Sequence, residues 1–324
     1  MTEPNGQDIL FLYECKDNNP NGDPLDDNRP RLDLETGALT VSDARIKRTV
    51  RDYLHEVKGE EILIRDSYNE KGFLKEGRER CDDFFELADI KKPNQSTNEQ
   101  FTNEHIVKLR NAITQTCIDA RLFGAVLPLG KGSVSVQLTG PVQFNSFNRS
   151  LNEASVVLRQ GTAAFAGKSE ALQKTFSERH IVHYALIAAE GVFNPFSAQA
   201  TGATEQDLER LFEGLWYGTS WLNSNSKSGQ TPLGLIVVEY KDGYRLGDLS
   251  GRVKLSSNKA DKKLRSMDDY ALDMQGLVDG IIRMKDKGRV SRVRLQLDER
   301  LKTMPEDVFQ SLQDAGLQVD PFDL

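Results

Sequence analysis

Cysteine is scarce in this sequence, and its distribution excludes two kinds of site. The three cysteines, Cys15, Cys81 and Cys117, are odd in number, far apart and without a CxxC pair. Such a set builds neither a disulfide framework nor a thiolate zinc site. We therefore expect a protein of a reducing compartment, the cytoplasm, that holds no metal and no cofactor.

Long hydrophobic runs are also missing. No stretch approaches the roughly 20 apolar residues that cross a bilayer, and the N-terminus carries the acidic residues Glu3 and Asp8, whereas an export signal begins with positively charged residues that are followed by an apolar segment. We expect neither export nor membrane insertion. With 324 residues, of which 38% are hydrophobic, the chain can still bury a large core, as one domain or as a domain with insertions.

Positive charge is in deficit, since 42 Lys and Arg residues face 49 Asp and Glu residues and the net charge is -7. Proteins that coat nucleic acids without selectivity usually attract the polyanion through an overall positive charge, so this balance argues against that class. Any nucleic-acid site must therefore be a local cluster of cations.

The strongest local pattern is a predicted strand, loop and helix near the start of the chain. Residues 9–15 form an apolar run, and residues 18–24 (NNPNGDP) combine four residue types that fix turns by different means. A helix over 42–57 places apolar residues on one arc, and a neighbouring arc carries Arg45, Lys47, Arg48 and Arg51. Guanidinium groups bond phosphate oxygens bidentately, so this stripe predicts a phosphate site. A solvated helix face is the open alternative.

The order of predicted elements indicates an α+β fold. Strands are predicted near 8–15, 133–146, 180–190 and 233–241, with helices near 42–57 and 204–220, which gives βαββαβ. This order is typical of a ferredoxin-like or RNA-recognition sheet with helices on one face. Thr204, with Asp207 three residues on, predicts the start of the second helix. Residues 59–132 and 147–179 are too long to be simple connections and are expected to be insertions.

Two catalytic or nucleotide-binding patterns fail on spacing. A Walker A loop needs four residues between its glycines and Ser or Thr after Lys, but five residues separate Gly124 from Gly130, and a glycine follows Lys131. We expect a turn whose Lys131 contacts RNA backbone.

His180 and His183 lie three apart on a predicted strand, so their side chains face opposite sides of the strand. His180, beside Arg179, is either an RNA contact or an ordinary strand residue.

Clustered aspartates keep an enzymatic alternative open. Asp17, Asp23 and Asp26 crowd one loop, and carboxylates suit hard cations. No Glu stands at the twelfth position from Asp17, as an EF-hand loop requires, and a hydrogen-bonded turn is favoured. A metal-dependent ribonuclease using these aspartates is the alternative function. A protein-interaction scaffold without an RNA site is a third.

Several short motifs, in order, carry a resemblance to a known family. They are residues 19–24 (NPNGDP), 28–33 (NRPRLD), 41–54 (VSDARIKRTVRDYL), 139–144 (TGPVQF), 215–218 (LWYG), 226–232 (SKSGQTP) and 238–240 (VEY). Together they resemble the backbone subunit of the CRISPR Cascade, a member of the RAMP superfamily. The opening looks most like the type I-B branch and shares much with type I-C.

The resemblance implies a palm with two insertions. The RRM-like palm would comprise residues 1–58, 133–146 and 180–324, the last with a C-terminal extension. Residues 59–132 would be helical fingers, and 147–179 a hairpin-like thumb. The implied protein is not an enzyme but a subunit that polymerises along the guide crRNA and presents it to target DNA. Its partners would be copies of itself and other Cascade subunits, namely the large, small and 5′-handle-binding subunits and the crRNA-processing endonuclease.

The residues themselves are also suited to hold single-stranded RNA, which needs a positive groove and flat or apolar side chains against bases. Phe165, in the second insertion, is the candidate wedge between bases, and burial under the arm is its alternative. Lys227 is a second phosphate candidate, with a plain surface loop equally open. The predicted RNA-binding residues are Asn18, Asn19, Asn21, Arg45, Lys47, Arg48, Arg51, Lys131, Arg159, Phe165, Lys168, Arg179, His180 and Lys227.

Overall fold

The computed structural model describes residues 5–91, 101–129, 135–162 and 176–324. These residues divide into two compact units. Unit 1 contains the described residues of Met1–Gly6, Lys47–Gln143 and Val192–Gly218. Unit 2 contains those of Gln7–Ile46, Phe144–Gly191 and Thr219–Leu324.

A nine-stranded sheet is the largest assembly of strands, and most of it belongs to unit 2. Its strands are β1 (Gly6–Asn18), β4 (Ala38–Ser42), β7 (Val142–Phe144), β8 (Phe147–Glu153), β9 (Val156–Thr162), β10 (Phe176–Phe193), β11 (Gln230–Tyr240), β14 (Val290–Leu297) and β16 (Val319–Pro321). The order across the sheet is β16-β14-β11-β1-β10-β8-β4, and β7 and β9 also pair with β10. Strands β1 and β11 are buried along nearly their whole length, so both faces of the sheet are covered at its centre.

Three smaller sheets complete the described strands. They are formed by β2 (Gly22–Asp23) with β3 (Arg29–Pro30), by β5 (Gly124–Pro128) with β6 (Ser135–Thr139), and by β12 (Lys254–Ser256), β13 (Ala271–Asp273) and β15 (Thr303–Met304). The pair β5 and β6 lies in unit 1, and the other two sheets lie in unit 2.

The described helices are α1 (Asp43–Glu56), α2 (Gly77–Asp82), α3 (Asn103–Thr116), α4 (Ile118–Phe123), α5 (Pro195–Thr201), α6 (Glu205–Trp221), α7 (Gln275–Asp286) and α8 (Val308–Asp314). Among these, none is long and apolar enough to cross a bilayer. The Ser42 hydroxyl accepts a hydrogen bond from the Arg45 amide at 3.3 Å and so caps α1.

Each unit has its own apolar core. In unit 1 a buried cluster includes Leu63, Phe84 and Leu109, together with Cys81 and Cys117. Burial raises the pKa of both of these thiols to about 12, so they are neutral packing groups at ordinary pH. In unit 2 one face of the nine-stranded sheet packs against α7, α8 and the segments around them.

Most of the predicted core elements are present. The strands predicted near 8–15, 180–190 and 233–241 are β1, β10 and β11, and the two predicted helices are α1 and α6. The predicted start of α6 is confirmed, because the Thr204 amide donates to the Asp207 carboxylate at 2.9 Å and the Asp207 amide donates to the Thr204 hydroxyl at 3.2 Å.

The prediction of one strand over 133–146 is wrong. The chain breaks at Gly140 and Pro141, so that β6 pairs with β5 while β7 pairs with β10. Pro141 has no amide hydrogen to give to a ladder. A Cβ on Gly140 would lie 2.1 Å from the carbonyl carbon of Phe123, so the two backbone segments meet closely there. The sequence therefore supplies two short strands in place of one.

Candidate nucleic-acid interface

Two loops of unit 2 lie side by side, and we call them the first loop (residues 16–21) and the second loop (residues 224–229). The Asn19 amide donates to the Ser226 carbonyl at 2.9 Å, which joins the two backbones directly. Gly229 closes the second loop with φ at +94°, a conformation that favours glycine. The end of β1 and the start of β11 are thereby held together.

Asn18 fixes the first loop from within. Its side chain is almost fully buried, and its amide group donates to the Lys16 carbonyl at 3.1 Å and to the Ser228 carbonyl at 3.0 Å. Its side-chain oxygen accepts from the Cys15 thiol at 2.7 Å. This asparagine therefore connects both loops through its side chain.

The other two asparagines predicted to contact RNA also bond within the protein. The Asn19 side-chain amide donates to the Asn28 carbonyl at 2.6 Å. The Asn21 side-chain oxygen accepts from the Ser42 hydroxyl at 3.1 Å, which ties the loop to the start of α1. Both side chains are buried. They hold the loop in one shape, and their direct contact with RNA stays a prediction.

Lys227 is the most unusual cation of this region. Its ammonium group donates to the Asn19 carbonyl at 2.5 Å. Burial, together with the neighbouring charge of Arg45, lowers the pKa of Lys227 to about 8. In the part of the chain that the structure describes, no carboxylate pairs with this ammonium group. Lys227 is thus a partly buried cation, influenced by the charge of Arg45, that has no carboxylate partner of its own in the described residues.

Arg51 of α1 has a buried partner in unit 1. Its Nε donates to the Asp119 carboxylate at 2.8 Å, and Asp119 is fully buried. The same carboxylate accepts from the amides of Leu63 at 2.7 Å and Ile64 at 3.2 Å. The position of Arg51 is therefore set by the core of unit 1, and its predicted contact with phosphate stays untested.

The two remaining cations predicted on this helix are also engaged. Arg48 pairs with Asp52 at 2.6 Å on the helix surface. The Lys47 ammonium donates to the Gln143 side chain at 3.0 Å and lies 5.7 Å from the centre of the Phe123 ring. The sequence pattern correctly gives the amphipathic helix but does not reveal these partners.

A like-charge pair stands on the hairpin of β9 and β10. Arg159 and Arg179 are direct cross-strand partners, and both are exposed. Opposed side chains lie on one face of an antiparallel pair, where like charges are destabilising. A bound anion would neutralise this repulsion, so a phosphate group could bind between these two arginines as well as at Lys227.

The two histidines of β10 have separate partners. The Arg29 Nε donates to His180 Nε2 at 3.3 Å, so His180 accepts through that nitrogen in its neutral form. His183 Nδ1 lies 3.0 Å from the Asp17 carboxylate. His180 and Arg29 line an open groove of about 690 Å³ in unit 2, whose apolar wall includes Phe147.

The aspartates of the ribonuclease alternative all have cationic or histidine neighbours. Besides the Asp17 contact to His183, the Asp23 carboxylate pairs with Arg31 at 3.3 Å. The Asp26 carboxylate lies 3.9 Å from the Arg29 guanidinium. Within the described ranges, no group of three or more His, Cys, Asp or Glu side chains is arranged to hold a metal ion.

Comparison with known proteins gives the family. The family model described as "CRISPR-associated protein Cas7" matches residues 5–275. The chain belongs to the Cas7 family. A protein of Haloferax volcanii named "CRISPR-associated protein Cas7" is 28% identical over 361 residues, covering 100% of this chain and 98% of that protein. Neither the description of the family nor the name of this relative designates an enzyme.

Solved structures agree on the fold of this Cas7-family chain. A chain of a "CRISPR RNA-guided surveillance complex, pre-nicking" has a TM-score of 0.56 and 12% identity, covering 98% of this chain and 96% of that chain. A chain of a second "CRISPR RNA-guided surveillance complex" has a TM-score of 0.54 and 12% identity, covering 98% of this chain and 95% of that chain. The mixed α/β fold is shared with these chains.

Three predicted site residues of this Cas7-family chain, Lys131, Phe165 and Lys168, lie outside the described residues. The sequence analysis missed two features that the structure shows. The contact between the two loops joins residues more than two hundred positions apart, and only the SKSGQTP motif of residues 226–232 pointed to its second half. No local pattern indicated Asp119 as the partner of Arg51.

Proposed function

We propose that this Cas7-family chain binds guide RNA through its phosphate backbone. The observation that carries the proposal is the partly buried ammonium of Lys227, which is influenced by the charge of Arg45, donates to the Asn19 carbonyl and has no carboxylate partner in the described residues. Burying a cation in part, beside a second cation, is unfavourable, and an anion that contacts Lys227 would offset this cost. A phosphate group supplies that charge and accepts several hydrogen bonds at once.

The shape of the two loops supports the same proposal. Their backbone and asparagine hydrogen bonds fix the position of Lys227 before any ligand arrives, so little ordering is needed on binding. Contacts to phosphate position a nucleic acid without reading its sequence. Binding would therefore show little sequence preference and would leave bases free to pair with a target, as in other RNA-guided systems.

The finer proposal is a backbone subunit of a type I Cascade, of the I-B branch, acting in the cytoplasm. Copies would associate head to tail along one crRNA, with the other Cascade subunits, and present the guide to target DNA. The order β11-β1-β10 with β7 beside β10 supports an RRM-like palm. The exposed hairpin of β9 and β10, with Arg159 opposite Arg179, supports a thumb that reaches RNA.

The first test uses the pKa of Lys227. Its pKa is about 8 in the free protein, and a bound phosphate favours the charged form and raises that pKa. Above pH 8, RNA binding must then take up a proton, so affinity falls as pH rises. Between pH values of about 7 and about 9, we expect a loss on the order of tenfold in affinity for an unstructured RNA, measured by fluorescence anisotropy.

The matched controls are Lys227→Arg and Lys227→Gln. Arginine stays charged throughout this pH range, so Lys227→Arg should bind RNA with an affinity that varies much less with pH. Lys227→Gln should bind more weakly at pH 7 and also lose the pH dependence. If the wild-type protein and Lys227→Gln share one affinity and one pH profile, Lys227 does not contact phosphate and the proposal loses its main support.

The polymerisation proposal is tested by stoichiometry. A head-to-tail interface that does not close on itself gives an open filament, so the number of copies bound should be set by RNA length. Sedimentation of the protein with RNAs of one, two and three times a chosen length should give copy numbers that rise in proportion. One copy per RNA at every length would contradict the filament while leaving RNA binding intact.

A further inference from the structure

A second group of cations lies in unit 2, where the chain leaves β11 and where α7 ends. We call Lys241, Arg283, Lys287 and Arg289 the basic patch. Three of its four members follow residue 275, where the match to the family model ends. The proposed RNA function uses none of them.

Backbone contacts bring the two segments of the basic patch together. The Lys241 amide donates to the Arg289 carbonyl at 2.9 Å, and Tyr240 pairs with Val290 in the ladder of β11 and β14. The Arg289 guanidinium lies 4.0 Å from the centre of the Tyr244 ring. The turn after β11 and the turn after α7 therefore form one surface on rigid elements.

The basic patch has an excess of positive charge at its surface. Lys241, Arg283 and Lys287 are exposed, and none pairs with a carboxylate of the described residues. Lys262, elsewhere on the surface of unit 2, is paired with Glu153 at 3.0 Å. The two segments together carry five cations and two carboxylates, an excess of three positive charges. The cations are Lys241, Arg283, Lys285, Lys287 and Arg289, and the carboxylates are Asp242 and Asp286.

The ordinary explanation for such cations covers only part of the group. Lysines at a helix C-terminus interact favourably with the helix dipole, which accounts for Lys287. Arg283 also lies in the last turn of α7, but Lys241 and Arg289 are not on a helix. The dipole therefore does not explain why all four cations gather at one surface.

The basic patch is also far from Lys227. The second loop directly precedes β11 and Lys241 directly follows it, so the two surfaces lie at opposite ends of this 11-residue strand. At a rise of about 3.3 Å per residue, they are roughly 33 Å apart. One phosphate contact cannot serve both.

The types of side chain in and around the basic patch indicate which class of ligand it binds. Single strands are usually held by bases stacked on aromatic rings. Among the described residues of these two segments, Tyr244 is the one exposed ring, and Arg289 already covers one of its faces. Point charges on rigid elements suit a stiff ligand with a high charge density, and DNA carries one charge per roughly 1.7 Å of duplex axis. We propose that the basic patch binds the phosphate backbone of double-stranded DNA.

The test measures how salt weakens the binding of a labelled DNA duplex to the full chain, with excess unlabelled single-stranded RNA present to occupy the Lys227 region. The variant carries Lys241→Gln, Arg283→Gln and Lys287→Gln. Loss of three phosphate contacts should reduce the slope of log affinity against log salt by about 2.7. Between 50 and 200 mM salt, the wild type should therefore lose about 40-fold more affinity than the variant does.

The matched control removes three other exposed lysines of unit 2 that have no carboxylate partner in the described residues, through Lys254→Gln, Lys263→Gln and Lys302→Gln. It should keep the wild-type slope, and so should Lys227→Gln, which separates this proposal from RNA binding. Equal slopes for the control and patch variants would mean that net charge alone acts, and would overturn the proposal. Duplex binding that excess RNA abolishes would overturn it as well.

Discussion

Replacing Asp119 with alanine is expected to lower the free energy of unfolding by about 3–5 kcal/mol. The carboxylate is fully buried and accepts from Arg51 and from the amides of Leu63 and Ile64. Its removal leaves a nearly buried guanidinium without a counter-charge and two amides without an acceptor. Urea unfolding followed by circular dichroism measures the change.

Two further variants show whether the buried charge is the cause. The double variant Arg51→Met with Asp119→Leu removes both charges, so it should recover part of the lost stability. Lys108→Ala breaks the exposed pair with Glu104 on α3 and should change stability by about 0.5 kcal/mol or less. A loss below about 1 kcal/mol for Asp119→Ala would contradict a structural role for this pair.

The variant Gly140→Ala is expected to destabilise the protein by about 3 kcal/mol or more. An added Cβ would lie 2.1 Å from the carbonyl carbon of Phe123 and 2.3 Å from the amide nitrogen of Gly124. Both atoms belong to backbone, so no rotamer change can relieve the overlap. The midpoint of thermal unfolding measures the effect, and we expect a large fall.

Gly77→Ala is the matched control for that variant. Gly77 is the first residue of α2, and its added Cβ would have neighbours no closer than 3.6 Å, an ordinary contact distance. Alanine is also the better helix former, so stability should stay within about 0.5 kcal/mol. Equal midpoints for the two variants would show that the backbones around Gly140 separate easily.

Periodicity in the sequence was enough to predict the central elements. The apolar runs of β1 and β11 and the amphipathic face of α1 are local patterns, and each lies where it was expected. The cap of α6 was also readable, since Thr204 and Asp207 satisfy each other within one turn. The break at Gly140 and Pro141 was readable in principle, because proline removes a ladder donor.

Local patterns could not predict which cations are neutralised within the protein. Arg51 and Lys47 belong to one basic stripe in the sequence, yet Arg51 is paired with a carboxylate 68 positions away and Lys47 bonds a side chain 96 positions away. Lys227 was equally ambiguous, as a phosphate contact or as a surface loop. The partial burial of Lys227 depends on its contact with Asn19, 208 positions earlier in the chain. The sequence alone could therefore not show that Lys227 lacks a carboxylate partner in the described part of the chain while Arg51 has one.

The motif order identified the family correctly, because the matches extend along most of the chain and the family model covers residues 5–275. The asparagines of the opening motif show the limit of that reasoning. Asparagines next to Pro and Gly are as typical of a hydrogen-bonded turn as they are of a ligand-binding loop. In the structure, Asn18 and Asn19 are nearly buried and brace a loop that carries Lys227.

Strand β11 also acts as a spacer. It is buried along almost its whole length and paired on both sides, so its end-to-end length of roughly 33 Å is not adjustable. A guide RNA held at one end and a DNA duplex held at the other would stay at a constant separation in every copy. In a filament of identical copies, that constancy would give two parallel tracks of nucleic acid with the same repeat along the axis.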